Sequence, residues 1–346
     1  MTSEKPRFPK PAEARRKAIS VAPAELLTAE PLSPDSGLPL LVRPAVPGVS
    51  LRAVVAQRRA QIAERLAAHG ALLFRDFDIG TVEEFERLIV AAAGGVLEYA
   101  DQTSPRHKVS GNVYTSTDYP ADQPILLHNE NSYAHSWPMK LFFFCVTPAA
   151  RGGETPIADT RLVLARIDPR IRERFEEKGW MLVRNFGRGL GLSWETVFQT
   201  ADRAEVDAYC RAAGIETEWQ EGGRLRTRQV RRAVVSHPRT GERVWFNHAA
   251  FFHVSALAAG LREGLLAGLG EDELPYNTYY GDGSPIEESV AEALREAYRQ
   301  SEVAFEWRAG DVLLLDNMLA AHGRRPFEGP RRVVVGMAEP VSVDDV

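Results

Sequence analysis

The 346-residue chain predicts an α+β fold, a double-stranded β-helix (jelly-roll) core with surrounding helices, on three observations. Short apolar runs at 71–74, 124–128, 141–146, 180–186, 311–317 and 333–337 have the length and composition of strands. Longer segments between them carry helical periodicity with caps and stops, in no regular strand–helix repeat. The polar residues able to do chemistry cluster at the strand ends, as in a barrel that holds its ligand inside.

In chain order, residues 1–20 hold Lys5, Arg7, Lys10, Arg15, Arg16 and Lys17 among prolines and alanines, the composition of a disordered basic tail. Residues 21–346 read as a single domain. An amphipathic helix over 51–69 stops at Gly70 and hands the chain to a strand over 71–74. Thr81 and Glu84 make a capping box that opens a second helix to about residue 93. The 124–128 run ends at His128, and Leu141 to Val146 reads as a buried neighbouring strand. A glycine turn, Arg151-Gly152-Gly153-Glu154-Thr155, follows. Helices are expected near 160–178, 193–213 and 256–267, and Ser284 to Glu287 forms a second capping box for a helix to about 300. Residues 233–236 and 242–246 flank Pro238 to Gly241 as a hairpin. The last strands are 311–317, with His322 just beyond, and 333–337, with Arg331 and Arg332 ahead of it.

His128-Asn129-Glu130, answered far downstream by His322, is the pattern with most chemical content. A His-x-acid pair plus a distant histidine is the donor set of the facial triad that holds non-haem Fe(II) and leaves the opposite positions open. A strand's two-residue period would turn His128 and Glu130 to one face. Chance alone supplies roughly one His-x-acid pair in a chain of this composition, so the neighbouring strands, turn and arginines carry the assignment.

In combination, His128-Asn129-Glu130, Gly152 to Thr155, Gly310-Asp311-Val312 and His322 followed by Arg331-Arg332 resemble the taurine dioxygenase-like (TauD/TfdA) family of Fe(II)/2-oxoglutarate-dependent oxygenases. Phrases at 111–120, 244–247 and 321–327 resemble the syringomycin-type amino-acid hydroxylase branch, and the likeness runs from about Leu38 to Met337. The resemblance implies His128, Glu130 and His322 as iron ligands, and Arg332 with Thr155 as partners of the distal carboxylate of 2-oxoglutarate. A guanidinium suits that carboxylate because its planar fork matches it bidentately and stays charged. Alternation points Arg331 and Arg332 opposite ways, and the family pattern favours the second. The acid here is glutamate where the best-known members carry aspartate; several amino-acid hydroxylases of the family also have glutamate. Sulfonate-oxidising members carry a second arginine four residues after the cofactor-binding one, and the matching position here is Gly336.

The implied reaction uses Fe(II), 2-oxoglutarate and O2, releases succinate and CO2, and hydroxylates an amino acid or a carrier-tethered aminoacyl group in specialised metabolism. Desaturation, cyclisation, or catabolic oxidation of a small organic acid would use the same cofactors. Asn247 and Arg188 are candidate substrate contacts, and Asn317 a candidate for orienting a ligand. Asn247, His248 and His253 have a spacing that could hold a metal on a helix, but the preceding hairpin argues for strand or loop.

The strand, glycine loop and helix over 180–193 have the order of a dinucleotide-binding turn with the wrong spacing. A jelly roll that binds a small molecule without turnover is the non-enzyme alternative, disfavoured because a pure binder needs no open metal positions. A net charge of −5 argues against a nucleic-acid partner. No apolar run reaches a membrane span, and two cysteines, too few for a disulfide framework, suggest the cytoplasm.

Overall fold

The computed structural model describes residues 26–33, 36–97, 108–115 and 119–346; the expected N-terminal tail lies outside them. Among these residues an eight-stranded sheet runs in the order Leu27–Ser33, Ser36–Pro44, Ala71–Phe74, Val312–Asp316, Ser136–Thr147, Arg332–Ser342, Val113–Thr115, Lys108–Ser110. Its pairings are antiparallel except that Ser36–Pro44 and Ala71–Phe74 run parallel. A four-stranded antiparallel sheet, Glu302–Val303, Ile157–Asp159, Ala320–Arg324, Ile125–His128, forms the other wall. Leu141, Phe143, Leu313, Val333 and Val335 of the large sheet pack with Ile157 and Ala320 of the small one.

The large sheet is buried on both faces, and this explains why its central strands read as continuous apolar runs. Phe142, Phe144, Leu314 and Val334 point the other way, against helices Leu51–Gln57, Arg59–His69 and Val82–Ala93. The last of these starts at the expected capping box, where Thr81 accepts from Glu84 N and Glu84 accepts from Thr81 N. A further sheet of Ile215–Trp219, Leu225–Arg231, Trp180–Phe186 and Tyr276–Tyr280 contributes Trp180, Leu182 and Tyr280 to a core cluster that includes Ala158 and Ala321 of the small sheet.

Several helices are shorter than periodicity implies. The 51–69 segment breaks at Arg58, whose φ of −123° is not helical. The 160–178 segment divides into Thr160–Arg166 and Pro169–Lys178, because Asp168 caps a new helix with proline in its first turn. The 193–213 segment divides at left-handed Gln199 into Trp194–Phe198 and Arg203–Ala212. The expected capping box at Ser284 is not formed: Ser284 bonds Asp282 in a turn, and the helix begins at Glu288. The 233–246 hairpin forms with Val235 opposite Val244.

Candidate functional site

His128 is the last residue of its strand and stands directly opposite His322 of Ala320–Arg324, their ring centroids 4.5 Å apart. Gly323 permits this approach, since a Cβ there would meet the Ile125 carbonyl oxygen at 2.6 Å. Glu130 lies beyond the strand, in a turn, so the strand pleat does not by itself align it with His128. Asn317 does that work. Its amide oxygen accepts from Glu130 N at 2.8 Å, while its NH2 donates to the carbonyls of Glu130 at 2.9 Å and Pro138 at 2.8 Å. Asn129 in turn donates to the Asn317 carbonyl at 2.6 Å. Both asparagines are fully buried, so the turn carrying Glu130 is clamped from both sides.

His128, Glu130 and His322 each offer a ligand atom within 4.8 Å of the others, the one such group of three or more among the described residues. His322 Nε2 stands 3.8 Å from Glu130 Oε2. His128 Nδ1 lies 2.8 Å from the Leu126 carbonyl, which can only accept, so Nδ1 carries the proton and Nε2 keeps its lone pair for a metal. Ligand atoms at ~2.1 Å from one ion in adjacent octahedral positions stand about 3 Å apart, within reach of side-chain rotation here. Two imidazoles and one carboxylate on one side, with Phe143 against the His322 ring at 5.1 Å, fit an open Fe(II) site.

Thr155 is buried in the same cavity, its hydroxyl oxygen accepting from Trp307 Nε1 at 3.1 Å. Accepting there leaves the threonine O–H to donate. The arginine that joins it is Arg331, not Arg332. Arg331 Nε donates to the Gly153 carbonyl at 2.8 Å and Nη2 lies 3.5 Å from Thr155 Oγ1. Gly153 is required twice over, by its φ of +73° and because a Cβ would lie 2.9 Å from Arg331 Cδ. Burial and the neighbouring Arg324 lower the Arg331 pKa to about 10.

The expectation that Arg332 faces the barrel is corrected, since that side chain is exposed at the strand's start. The physical reason is the pleat. Arg332 pairs with Thr147 and Val333 with Cys145, so the bulged residue, Val146, belongs to the partner strand and alternation after Arg331 is unbroken. Arg331 therefore shares a face with Val333 and Val335, both of which line the cavity. Gly336 faces the helices instead, where a Cβ would meet Ile89 Cδ1 at 2.3 Å. The inward position four residues after Arg331 is Val335.

Asn247 lines an adjacent cavity, but its amide is engaged with Ala233 O and Ala249 N. Arg188 is not brought to the site; it pairs with Glu273 at 2.8 Å at the surface. Residues 247–253 are loop, one of the two states, strand or loop, that the preceding hairpin left open. His248 was not legible as a neighbour of the site: its ring lies 5.7 Å from that of His128, and its Nδ1 shares a 2.6 Å hydrogen bond with Ser132. Desolvation holds its pKa well below the usual histidine value. Asp311 serves the fold, forming a buried bidentate pair with Arg75 at 2.6 Å.

A family model described as "Taurine catabolism dioxygenase TauD, TfdA family" matches residues 28–338. The chain is 42% identical over 280 residues to the dapdiamide synthesis protein DdaC of Enterobacter agglomerans, covering 81% of this chain and 85% of that one. It is 30% identical over 280 residues to a clavaminate synthase-like protein of Arabidopsis thaliana, covering 78% and 82%. Its fold is similar to that of PvcB from Pseudomonas aeruginosa, with TM-score 0.55, 18% identity, and coverage of 93% and 94%. Another structure of PvcB is described as an Fe, alpha-ketoglutarate dependent oxygenase from an isonitrile synthetic pathway.

Proposed function

The chain belongs to the taurine catabolism dioxygenase TauD, TfdA family and is an Fe(II)/2-oxoglutarate-dependent dioxygenase, and from that premise we propose that it hydroxylates an amino acid or aminoacyl group in specialised-metabolite biosynthesis. In this reading His128, Glu130 and His322 hold the iron, and Arg331 with Thr155 holds the distal carboxylate of 2-oxoglutarate. The observation that carries it is the convergence of three metal-ligand side chains within 4.8 Å, beside a buried guanidinium and hydroxyl in one cavity. Iron with 2-oxoglutarate and dioxygen supplies the oxidation of a C–H bond, giving succinate and CO2.

The protein's own part is orientation and exclusion. The Leu126 carbonyl fixes the His128 tautomer, and Asn317 fixes the turn of Glu130. Gly153 and Thr155 aim the Arg331 fork, while Phe143, Val333 and Val335 keep water from the cavity walls. The relative named for dapdiamide synthesis supports a place in specialised metabolism. Residues 21–346 act as one domain in this reading, which the family match over 28–338 supports. Cys145 and Cys210 are buried thiols, which supports placement in the cytoplasm; no described helix is long and apolar enough to cross a membrane.

The experiment is succinate release under Fe(II) and 2-oxoglutarate across a panel of free and carrier-bound amino acids. Stoichiometric succinate and a product that gains one oxygen are expected with one member. Loss of two hydrogens would make the enzyme a desaturase or cyclase, and no coupled turnover across the panel would remove the amino-acid reading.

A further inference from the structure

The turn that joins the Val312–Asp316 strand to the Ala320–Arg324 strand serves both sides of the candidate metal site. It carries Asn317, whose side chain holds the backbone of Glu130, and it opens the strand that bears His322. Asp316 shapes this turn. Its Oδ1 accepts from Met318 N at 3.0 Å and from Leu319 N at 3.2 Å, and its Oδ2 faces His237 Nε2 at 3.1 Å. His237, Asp316 and Asn317 are all buried.

His237 comes from a different element. It follows the Val234–Ser236 strand, in the turn of the hairpin made with Arg243–Trp245. Val235, Val244 and Phe246 of that segment pack with Met318 and Leu319. The ring can serve Asp316 in one tautomer only. Nδ1 accepts from Arg239 N at 3.2 Å and from Thr240 N at 3.1 Å, so the proton sits on Nε2 and is donated to Asp316. A histidine that merely closed the hairpin would need Nδ1 alone. The second bond reaches 79 positions along the chain to the carboxylate behind Glu130. Apolar packing presses the two elements together without direction, whereas the Nε2–H bond fixes how the Asp316 carboxylate is turned.

We propose that His237 is a positioning residue for the metal centre: through Asp316 it fixes the 316–319 turn, and through Asn317 that turn fixes Glu130. The proposal rests on the dioxygenase reading above, in which Glu130 holds the iron, and extends it to a residue outside the metal-side cavity.

Two substitutions separate the two bonds of the ring. His237→Asn keeps an acceptor at the δ position for the hairpin N–H groups and has no donor that reaches Asp316. His237→Gln does the reverse, placing an amide NH2 at the ε position. The full-length, metal-free protein is titrated with Mn(II) and read by calorimetry. His237→Asn raises the Mn(II) Kd about tenfold, the lower end of what losing an outer partner of a metal ligand costs, while His237→Gln retains most of the affinity. Both substitutions lower the urea midpoint, so loss of stability alone does not produce that ranking. Equal Kd values in the two variants, or the greater loss in His237→Gln, overturn the proposal. Asp316→Asn cuts the same link from the other end, because its NH2 would face the Nε2–H and the other tautomer is blocked by Arg239 N and Thr240 N. It gives the same rise in Kd and is read in place of His237→Asn should that variant not fold; an unchanged Kd in Asp316→Asn overturns the proposal as well. Glu130→Ala tests the reading beneath. If it leaves Mn(II) binding unmoved, the metal assignment fails and the proposal with it, whereas a loss in Glu130→Ala with none in His237→Asn overturns the proposal alone.

Discussion

Replacing Arg331 by glutamine tests the proposed 2-oxoglutarate site at its most consequential residue. Its pKa of about 10 leaves only about one part in a thousand neutral at pH 7, so burial lowers the cost of pairing without removing the charge. Its Nε is fixed by Gly153 O at 2.8 Å and its Nη2 is aimed near Thr155, so the fork is set before a ligand arrives. Losing one partner of such a buried charged pair costs about 2–5 kcal/mol. That corresponds to roughly a 30- to 4,000-fold rise in Kd. The assay is calorimetric titration of 2-oxoglutarate into protein loaded with Mn(II), which avoids turnover. Arg332→Gln removes an exposed charge and shifts Kd by no more than about threefold, the scale of a surface ion pair. A larger loss in Arg332→Gln than in Arg331→Gln would refute the strand register on which the assignment stands.

His128→Ala and His322→Ala each abolish succinate formation while the thermal midpoint stays near that of the parent, because an open catalytic ion is not a structural staple; retained turnover would remove that histidine from the metal site. Arg75→Met strands the buried Asp311 carboxylate and lowers unfolding free energy by about 3–5 kcal/mol in urea titrations. A loss too small to measure would mean that water reaches the pair. Acid weakens the fold through His253, whose pKa desolvation lowers and whose Nε2 lies 3.0 Å from Ile286 O while Nδ1 accepts from Ser255 N. The unfolded chain takes up this proton first, so stability is flat above about pH 6.5 and falls as pH drops below it; in a His253→Gln variant that part of the slope disappears. Taurine produces no succinate above the uncoupled background, since the inward position four residues past Arg331 is the apolar Val335 and a sulfonate would be desolvated without a compensating charge; sulfite release would contradict this.

The candidate metal-ligand set, which the structure brings together, was legible because the chemistry proposed for it needs rare residue types in a fixed order, and the same holds for the proposed role of Thr155 after its glycine turn. The register of the following strand was not. In a sheet buried on one side, apolar alternation would have shown which of Arg331 and Arg332 points inward. Here helices cover the opposite face, so Val333, Val334 and Val335 are all buried and the run reads the same in either register. One signal did lie in the chain. A glycine inside a buried apolar strand marks a place where something approaches closely, and Gly336 is that place for Ile89 of the covering helix. Taking Gly336 as outward-facing sets Val335, Val333 and Arg331 inward without any structure. Long-range clamps were legible only in part: Asn317 could be named as a candidate for orienting a ligand, but it lies 187 residues from Glu130 and its three hydrogen bonds go to backbone atoms, so no sequence pattern records which ligand it holds. Where a site depends on side-chain type, sequence can name it; where it depends on which face a covered strand presents, the partner that fills the other face has to be known first.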